Sequence, residues 1–254
     1  MKTAVLMAGI AKDIATAFQF LTRVPFSQIS CEPDSLSRSA KFFPLVGLLT
    51  GIISIALRWG LSPHLPIMIV ALLIVMAGIL VTGALHEDGL ADVADGFGGG
   101  WSKEQVLAIL KDSRIGSYGA LAIAFSVGAR MLLFGSLPAS TFAAYAISAH
   151  VLCRWTALPL GFALPAARAQ ASLGARLAGQ ISTSSLLVGT LIAFGIVAYA
   201  LRIKMWEPIL AVAIVTTLSG LYYRSRIGGI TGDCFGATNQ LAEIAVYFCG
   251  VWIQ

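Results

Sequence analysis

Asp88, Asp92 and Asp95 are spaced i, i+4, i+7. On a helix that spacing puts three carboxylates on one face. Carboxylates that close repel one another, and at a membrane edge they demand a positive partner. Hard oxygen donors with no His or Cys at suitable spacing suit Mg²⁺, Mn²⁺ or Ca²⁺ rather than zinc. Mg²⁺ at such a site usually completes its shell with substrate phosphates. The spacing therefore predicts a metal site at Asp88, Asp92 and Asp95 that works on a phosphate-bearing molecule. The competing reading is a solvated helix end with ordinary surface acids. Against it, the stretch DGLADVADG sets its carboxylates among small apolar residues, not among Lys, Ser and Gln.

The neighbourhood fits phosphate chemistry. His86 adjoins the aspartates and is a candidate base or phosphate ligand, with an interfacial structural histidine as the alternative. Gly96-Phe97-Gly98-Gly99-Gly100 reads as a glycine-rich turn, where Gly98, Gly99 and Gly100 would let backbone N–H groups approach a phosphate. Residues 102–112 read as a short helix, with Ser102 as N-cap and Val106, Ile109 and Leu110 inward. Asp112 and Arg114 end it, and a guanidinium there suits a phosphate oxygen. A second polar stretch, 222–243, repeats the theme: Arg224 and Arg226, a glycine-rich turn, Asp233, then Asn239, Gln240 and Glu243. Polar groups inside an apolar run point to a bundle interior or a cavity, and a helix–helix hydrogen bond is the plainer account of Asn239 and Gln240. Arg130, His150 and Arg154 lie in apolar runs. The last two share a helical face and either line a cavity or pair with an acid such as Glu243.

The elements that must position these groups are membrane helices. Of 254 residues, 57% are hydrophobic and 11% charged, and the mean hydropathy is +0.85. A soluble domain of this size could not hide that much apolar surface, which excludes an ordinary cytosolic enzyme and a disordered chain. The net charge of +5 comes without any basic run or aromatic-interleaved patch, so nucleic acid is not an expected partner. The four cysteines, Cys31, Cys153, Cys234 and Cys249, form no CxxC and suggest neither a zinc knuckle nor a disulfide framework.

Residues 1–25 read as an amphipathic interfacial helix, with Ile10, Ile14, Phe18 and Leu21 on one face and Lys12, Asp13, Thr16 and Gln19 elsewhere. Seven apolar stretches follow, near 44–61, 64–85, 117–137, 139–163, 184–201, 206–223 and 238–253. With the N-terminus cytoplasmic, Lys and Arg divide twelve to three in favour of the cytoplasmic side, as the positive-inside rule asks. The expected architecture is an all-α, polytopic membrane bundle forming a single domain over 1–254. Its active-site loops, 86–116 and 224–237, would lie on the cytoplasmic side.

LHEDGLADVADGFGGG, then LKDSRIGSYG, then GGITGDCFGATNQLAE, in that order, resemble the cobalamin synthase family of membrane-bound adenosylcobinamide-GDP ribazoletransferases. FLTRVPF and KFFPLVGLLTG extend the likeness over nearly the whole chain. Asp88, Asp92 and Asp95 match the family pattern, whereas the family usually carries an apolar residue where this chain has Glu87, so Glu87 is not expected to be an essential ligand. Asp92-x-x-Asp95-Gly96 is also similar to part of the CDP-alcohol phosphotransferase motif, whose remainder is missing here.

The resemblance implies a Mg²⁺-dependent transfer in late cobalamin biosynthesis: α-ribazole, or its 5′-phosphate, attacks adenosylcobinamide-GDP and GMP leaves. It implies one or two Mg²⁺ ions on Asp88, Asp92 and Asp95, with phosphate charge met by Arg114 and by Arg224 or Arg226. The base would be Asp88, Asp112 or His86. It also implies residence in the bacterial inner membrane, with the N-terminus and the active site facing the cytoplasm. Association with other cobalamin-assembly enzymes is compatible with it, and it fixes no oligomeric state. A lipid head-group phosphotransferase and a cation transporter are the alternatives. The first would need an acceptor pocket open to lipid, and the second would place its aspartates at mid-span.

Overall fold

The structure is a computed structural model and describes residues 2–25, 34–168 and 174–252. Cys31 lies outside the described residues; Cys153, Cys234 and Cys249 are free thiols. Twelve α-helices account for most of the described chain: α1 Lys2–Leu21, α2 Ser35–Ser39, α3 Phe43–Leu61, α4 Ile67–Thr82, α5 Leu85–Gly99, α6 Lys103–Ile109, α7 Ser117–Ser136, α8 Ala139–Trp155, α9 Ala157–Ala163, α10 Thr183–Leu201, α11 Trp206–Ile227 and α12 Gly232–Trp252. Among the described residues there is no strand, only one isolated parallel bridge between Ala166 and Ile230.

α8 and α12 stand at the centre. α8 packs against α3, α10 and α12, and α12 packs against α5, α7, α8 and α11. No large hydrophobic side chain of α8 is exposed, whereas α4, α7, α10 and α11 present Leu72, Phe125, Leu191 and Leu218 outward. Such an apolar exterior around a polar middle fits a bundle solvated by lipid. Among the described residues three helical stretches, Ser35–Leu61, Ser117–Ser136 and Thr183–Ile227, are long and apolar enough to cross a membrane, and a fourth counts if α4 and α5 form one bent span. The expected seven are not reached on length and apolarity alone. α8 is short, at 17 residues, and α12 carries Asn239, Gln240 and Glu243 within its run.

Within Thr183–Ile227 the chain reverses at Arg202, whose φ is +53°. Near the start of α10 Gly189 lies against Leu158, and near the end of α11 Gly220 lies against Leu160. α10 and α11 thus leave and return on the side of α9, α10 packing on α8 and α11 on α12, in keeping with the separate stretches 184–201 and 206–223.

The first correction falls between α4 and α5. The apolar run 64–85 is not one straight helix into a loop. It breaks at Gly83 and Ala84, both left-handed (φ +64° and +60°), and α5 leaves at 90° to α4. Gly83 takes that conformation without steric cost, while Ala84 holds it against the preference of an L-residue. α5 therefore does not continue the line of α4 and packs against α7 and α12.

The second correction concerns α1. Its apolar stripe packs against the core near the start of α3, but Asp13 and Thr16, expected on the far face, are also buried. Asp13 is held by Lys41 at 3.0 Å and Arg38 at 3.5 Å. α1 is thus docked on the bundle by an ion pair as well as by its hydrophobic face.

Candidate active site

α5 is helical through Gly99, so the three aspartates do share a helix as their spacing predicts. The expected glycine loop is instead the last turn of that helix. Its N–H groups are used in helix bonds, and Gly100 N–H donates to the Gly96 carbonyl at 3.0 Å. A Cβ on Gly98 would come within 2.8 Å of the Tyr118 ring, and one on Gly100 within 2.7 Å of the Val106 backbone nitrogen. Gly98 and Gly100 let α6 and α7 approach α5, and Gly98, Gly99 and Gly100 do not form a phosphate cradle. α6 begins with the capping box expected at Ser102: Gln105 N–H donates to Ser102 Oγ, and Gln105 Oε1 accepts from Ser102 N–H, each at 3.3 Å.

The expected loop 224–237 is likewise mostly helix, the end of α11 and the start of α12 joined by a short turn. It meets α5 at a crossing of two glycines. A Cβ on Gly89 would lie 2.8 Å from the Asp233 carbonyl oxygen, and one on Gly236 3.3 Å from Gly89 Cα. This contact brings the two motif segments together, and Asp88 and Asp233 line one cavity of about 320 Å³. His86 and Asn239 line it too, with Phe20, Leu21, Phe43 and Leu85 as an apolar flank.

The acids crowd one another. Burial, followed by the charges of Asp233, Asp88 and Asp95, pushes Asp92 up to about 7, with Arg168 opposing. Asp95 is engaged locally, its carboxylate accepting from the Gly116 N–H at 2.7 Å and the Gly119 N–H at 2.9 Å at the start of α7. His86 is buried, and burial followed by the nearby Arg154 and Arg130 cations lowers its pKa.

Four carboxylates with one opposing cation make a donor set of the right chemistry for a hard divalent ion. The oxygens of Asp88, Asp92 and Asp95 are nevertheless not gathered to one point. Among the described residues the tight trio is His150, Cys153 and Glu243, deep in the bundle. Two guanidiniums, Arg130 and Arg154, act on those groups, and their charge opposes a bound cation.

Several expected site residues are elsewhere. Asp112 and Arg114 pair with each other on the surface, at 2.9 Å from Arg114 Nε. Hydrogen bonds from the Arg114 side chain and backbone hold Asp112 down to about 2. Two charges so close in sequence satisfy each other before either reaches the cavity. Arg226 donates to the Gly100 carbonyl at 2.7 Å and covers the rings of Phe97 and Tyr222, tying α11 to the end of α5. Arg224 is exposed at the end of α11 and does not line the cavity. Gln240 and Glu243 belong to a buried network with Glu87. Arg130 donates to Glu87 at 2.9 Å, Gln240 to Glu87 at 3.2 Å, and Ser126 to Gln240 at 2.7 Å. Arg130 and His150 stand 4.0 and 3.9 Å from Glu243.

The cations that do line the cavity are Arg154 and Arg168. Arg154 shows in the sequence through its i, i+4 pairing with His150. Arg168 has no motif around it, and only the fold brings it to the site.

Comparison with known proteins now bears on this geometry. The cobalamin-5-phosphate synthase family profile matches residues 13–251. An adenosylcobinamide-GDP ribazoletransferase of Shewanella frigidimarina is 38% identical over 244 residues, covering 91% of this chain and 90% of that protein. Proteins of the same name from Shewanella baltica and Shewanella oneidensis are 36% and 37% identical over the same shares. No solved structure matches the chain.

Proposed function

The chain belongs to the cobalamin-5-phosphate synthase family, and we propose that it joins adenosylcobinamide-GDP to α-ribazole or its 5′-phosphate with release of GMP. Membership makes it a transferase of cobalamin biosynthesis. The observation that carries the finer reading is the meeting of the two motif segments: Asp88 of α5 and Asp233 of α12 line one cavity. A cation transporter would call for aspartates along a continuous span, whereas α5 turns 90° from α4 and meets the start of α12 at Asp233.

The acceptor hydroxyl attacks the phosphorus bearing the cobinamide arm. A new P–O bond forms, the anhydride bond to GMP breaks, and the hydroxyl proton passes to the protein. Asp88, Asp92 and Asp233 are the groups suited to hold Mg²⁺, which when bound supplies charge neutralisation on the diphosphate. Asp95 fixes the start of α7 against α5 through two backbone N–H groups. The proton acceptor is drawn from Asp88, Asp92 and His86; Asp112, exposed and held by Arg114, is withdrawn from that set. The apolar flank at Phe20, Leu21 and Phe43 excludes water from one side of the reacting phosphate. The site is proposed to face the cytoplasm of a bacterial inner membrane, where the nucleotide-activated donor is made. Other enzymes of the route would be its neighbours there.

The test is a product assay on detergent-purified protein given adenosylcobinamide-GDP and α-ribazole 5′-phosphate, with Mg²⁺ or with EDTA. Mass spectrometry should find equimolar GMP and adenosylcobalamin 5′-phosphate with Mg²⁺ only. Folded protein that makes neither, beside an active relative, would sink the reading.

A further inference from the structure

We propose that Arg154 and Arg168 form a guanidinium clamp for the diphosphate of a nucleotide, on the cavity they share with Asp88 and Asp233. The inference rests on the reaction proposed above and adds to it the residues that receive the donor's anion.

Arg154 is buried, with 4% exposure. Its Nη1 is fixed by the His150 carbonyl at 3.0 Å and by Cys153 Sγ at 3.5 Å, while its buried Nε has no hydrogen-bond partner among the described residues. Arg168 stands on the same cavity, and its buried Nε and Nη2 also find no partner among the described residues. A buried guanidinium N–H left unpaired costs its full desolvation penalty, and native proteins rarely leave one so. Two on one cavity call for an anion with several oxygens, which planar guanidinium groups bind in parallel pairs.

Asn239 adds a constraint. It is 4% exposed, lines the same cavity, and its Oδ1 accepts no hydrogen bond from the described residues. An acceptor beside an anion site calls for a ligand that also carries a hydroxyl or amino donor. A nucleoside diphosphate has both features within one molecule.

The test titrates full-length, detergent-purified protein with GDP in the presence of Mg²⁺, comparing wild type with Arg154→Gln, Arg168→Ala and Arg168→Lys. Variants are compared only where their melting temperatures match wild type. Arg168 is less deeply buried than Arg154, so its variants decide the matter if Arg154→Gln fails to fold. Arg154→Gln and Arg168→Ala should weaken GDP binding by about tenfold or more, with Arg168→Lys between. Unchanged affinity in the folded variants, or no GDP binding by wild type, would overturn the clamp. A lipid phosphate bound there would instead show as arginine-dependent binding of phosphatidylglycerol without GDP binding, and would overturn it equally. Arginine-dependent GDP binding with no cobalamin product would remove the proposed reaction and leave the clamp standing. Product formation with an affinity indifferent to both arginines does the reverse.

Discussion

Glu87 and Asp88 are neighbours in the chain, yet they belong to two regions with opposite habits. Glu87 turns into the bundle, where Arg130 and Gln240 bind it and Glu243 stands across from Arg130 and His150. The carboxylates there face cations, with Glu87 against Arg130 and Glu243 across from Arg130 and His150, while among the described residues Glu87 Oε2, Ser148 Oγ and His150 Nδ1 are buried without a hydrogen bond. Asp88 turns to the cavity, where aspartates repel one another and two arginines keep buried N–H groups unspent. The interior region is built to be complete without a ligand. The cavity region is left incomplete, and the deficit describes what it binds.

Three measurements break or sharpen this contrast. The largest effect is expected at the cavity: Asp88→Asn should lower turnover by about a hundredfold or more while leaving the melting temperature unchanged. A variant that instead melts early and turns over normally would place Asp88 with the structural charges. The interior should behave the other way. Arg130→Ala strands Glu87 and Glu243 without their cation, at about 3–5 kcal/mol of stability, read as a lower melting temperature in detergent. Glu87→Gln, which keeps an acceptor for Arg130, should lose less, and equal losses would show that charge pairing is not what holds the network. The smallest effect belongs to neither region. Asp112→Asn and Arg114→Ala touch an exposed ion pair, so turnover should stay within about twofold; a large loss would return them to the site.

Much of the site could be read from residue spacing. Period and charge put Asp88, Asp92 and Asp95 on one helical face, and order along the chain brought the 86–116 and 224–237 segments to the same end. What could not be read were tertiary facts. Gly98 and Gly100 looked like a loop because glycine marks turns, but here small size serves the approach of Tyr118 and Val106. The break at Ala84 has no signal, since alanine ordinarily favours helix. Arg114 was favoured for nearness in sequence and Arg168 passed over for lack of it, although the cavity reverses that order. Asp13 read as solvent-facing because its partners, Arg38 and Lys41, lie 25 and 28 residues away. The span count depended on long apolar runs, and α8 is a short helix of 17 residues while α12 interrupts its run with Asn239, Gln240 and Glu243.

The right-angle turn at Gly83 and Ala84 also bears on how the chain enters a bilayer. An aspartate carried to the middle of an inserting helix costs about 2.5–3.5 kcal/mol, and a straight continuation of α4 would have carried the acids of α5 with it. Because the helix ends where it does, the apolar residues of α4 go into hydrocarbon alone. The turn takes Asp88, Asp92 and Asp95 off the line of α4, so the acids gather against α7 and α12 instead of extending an apolar helix.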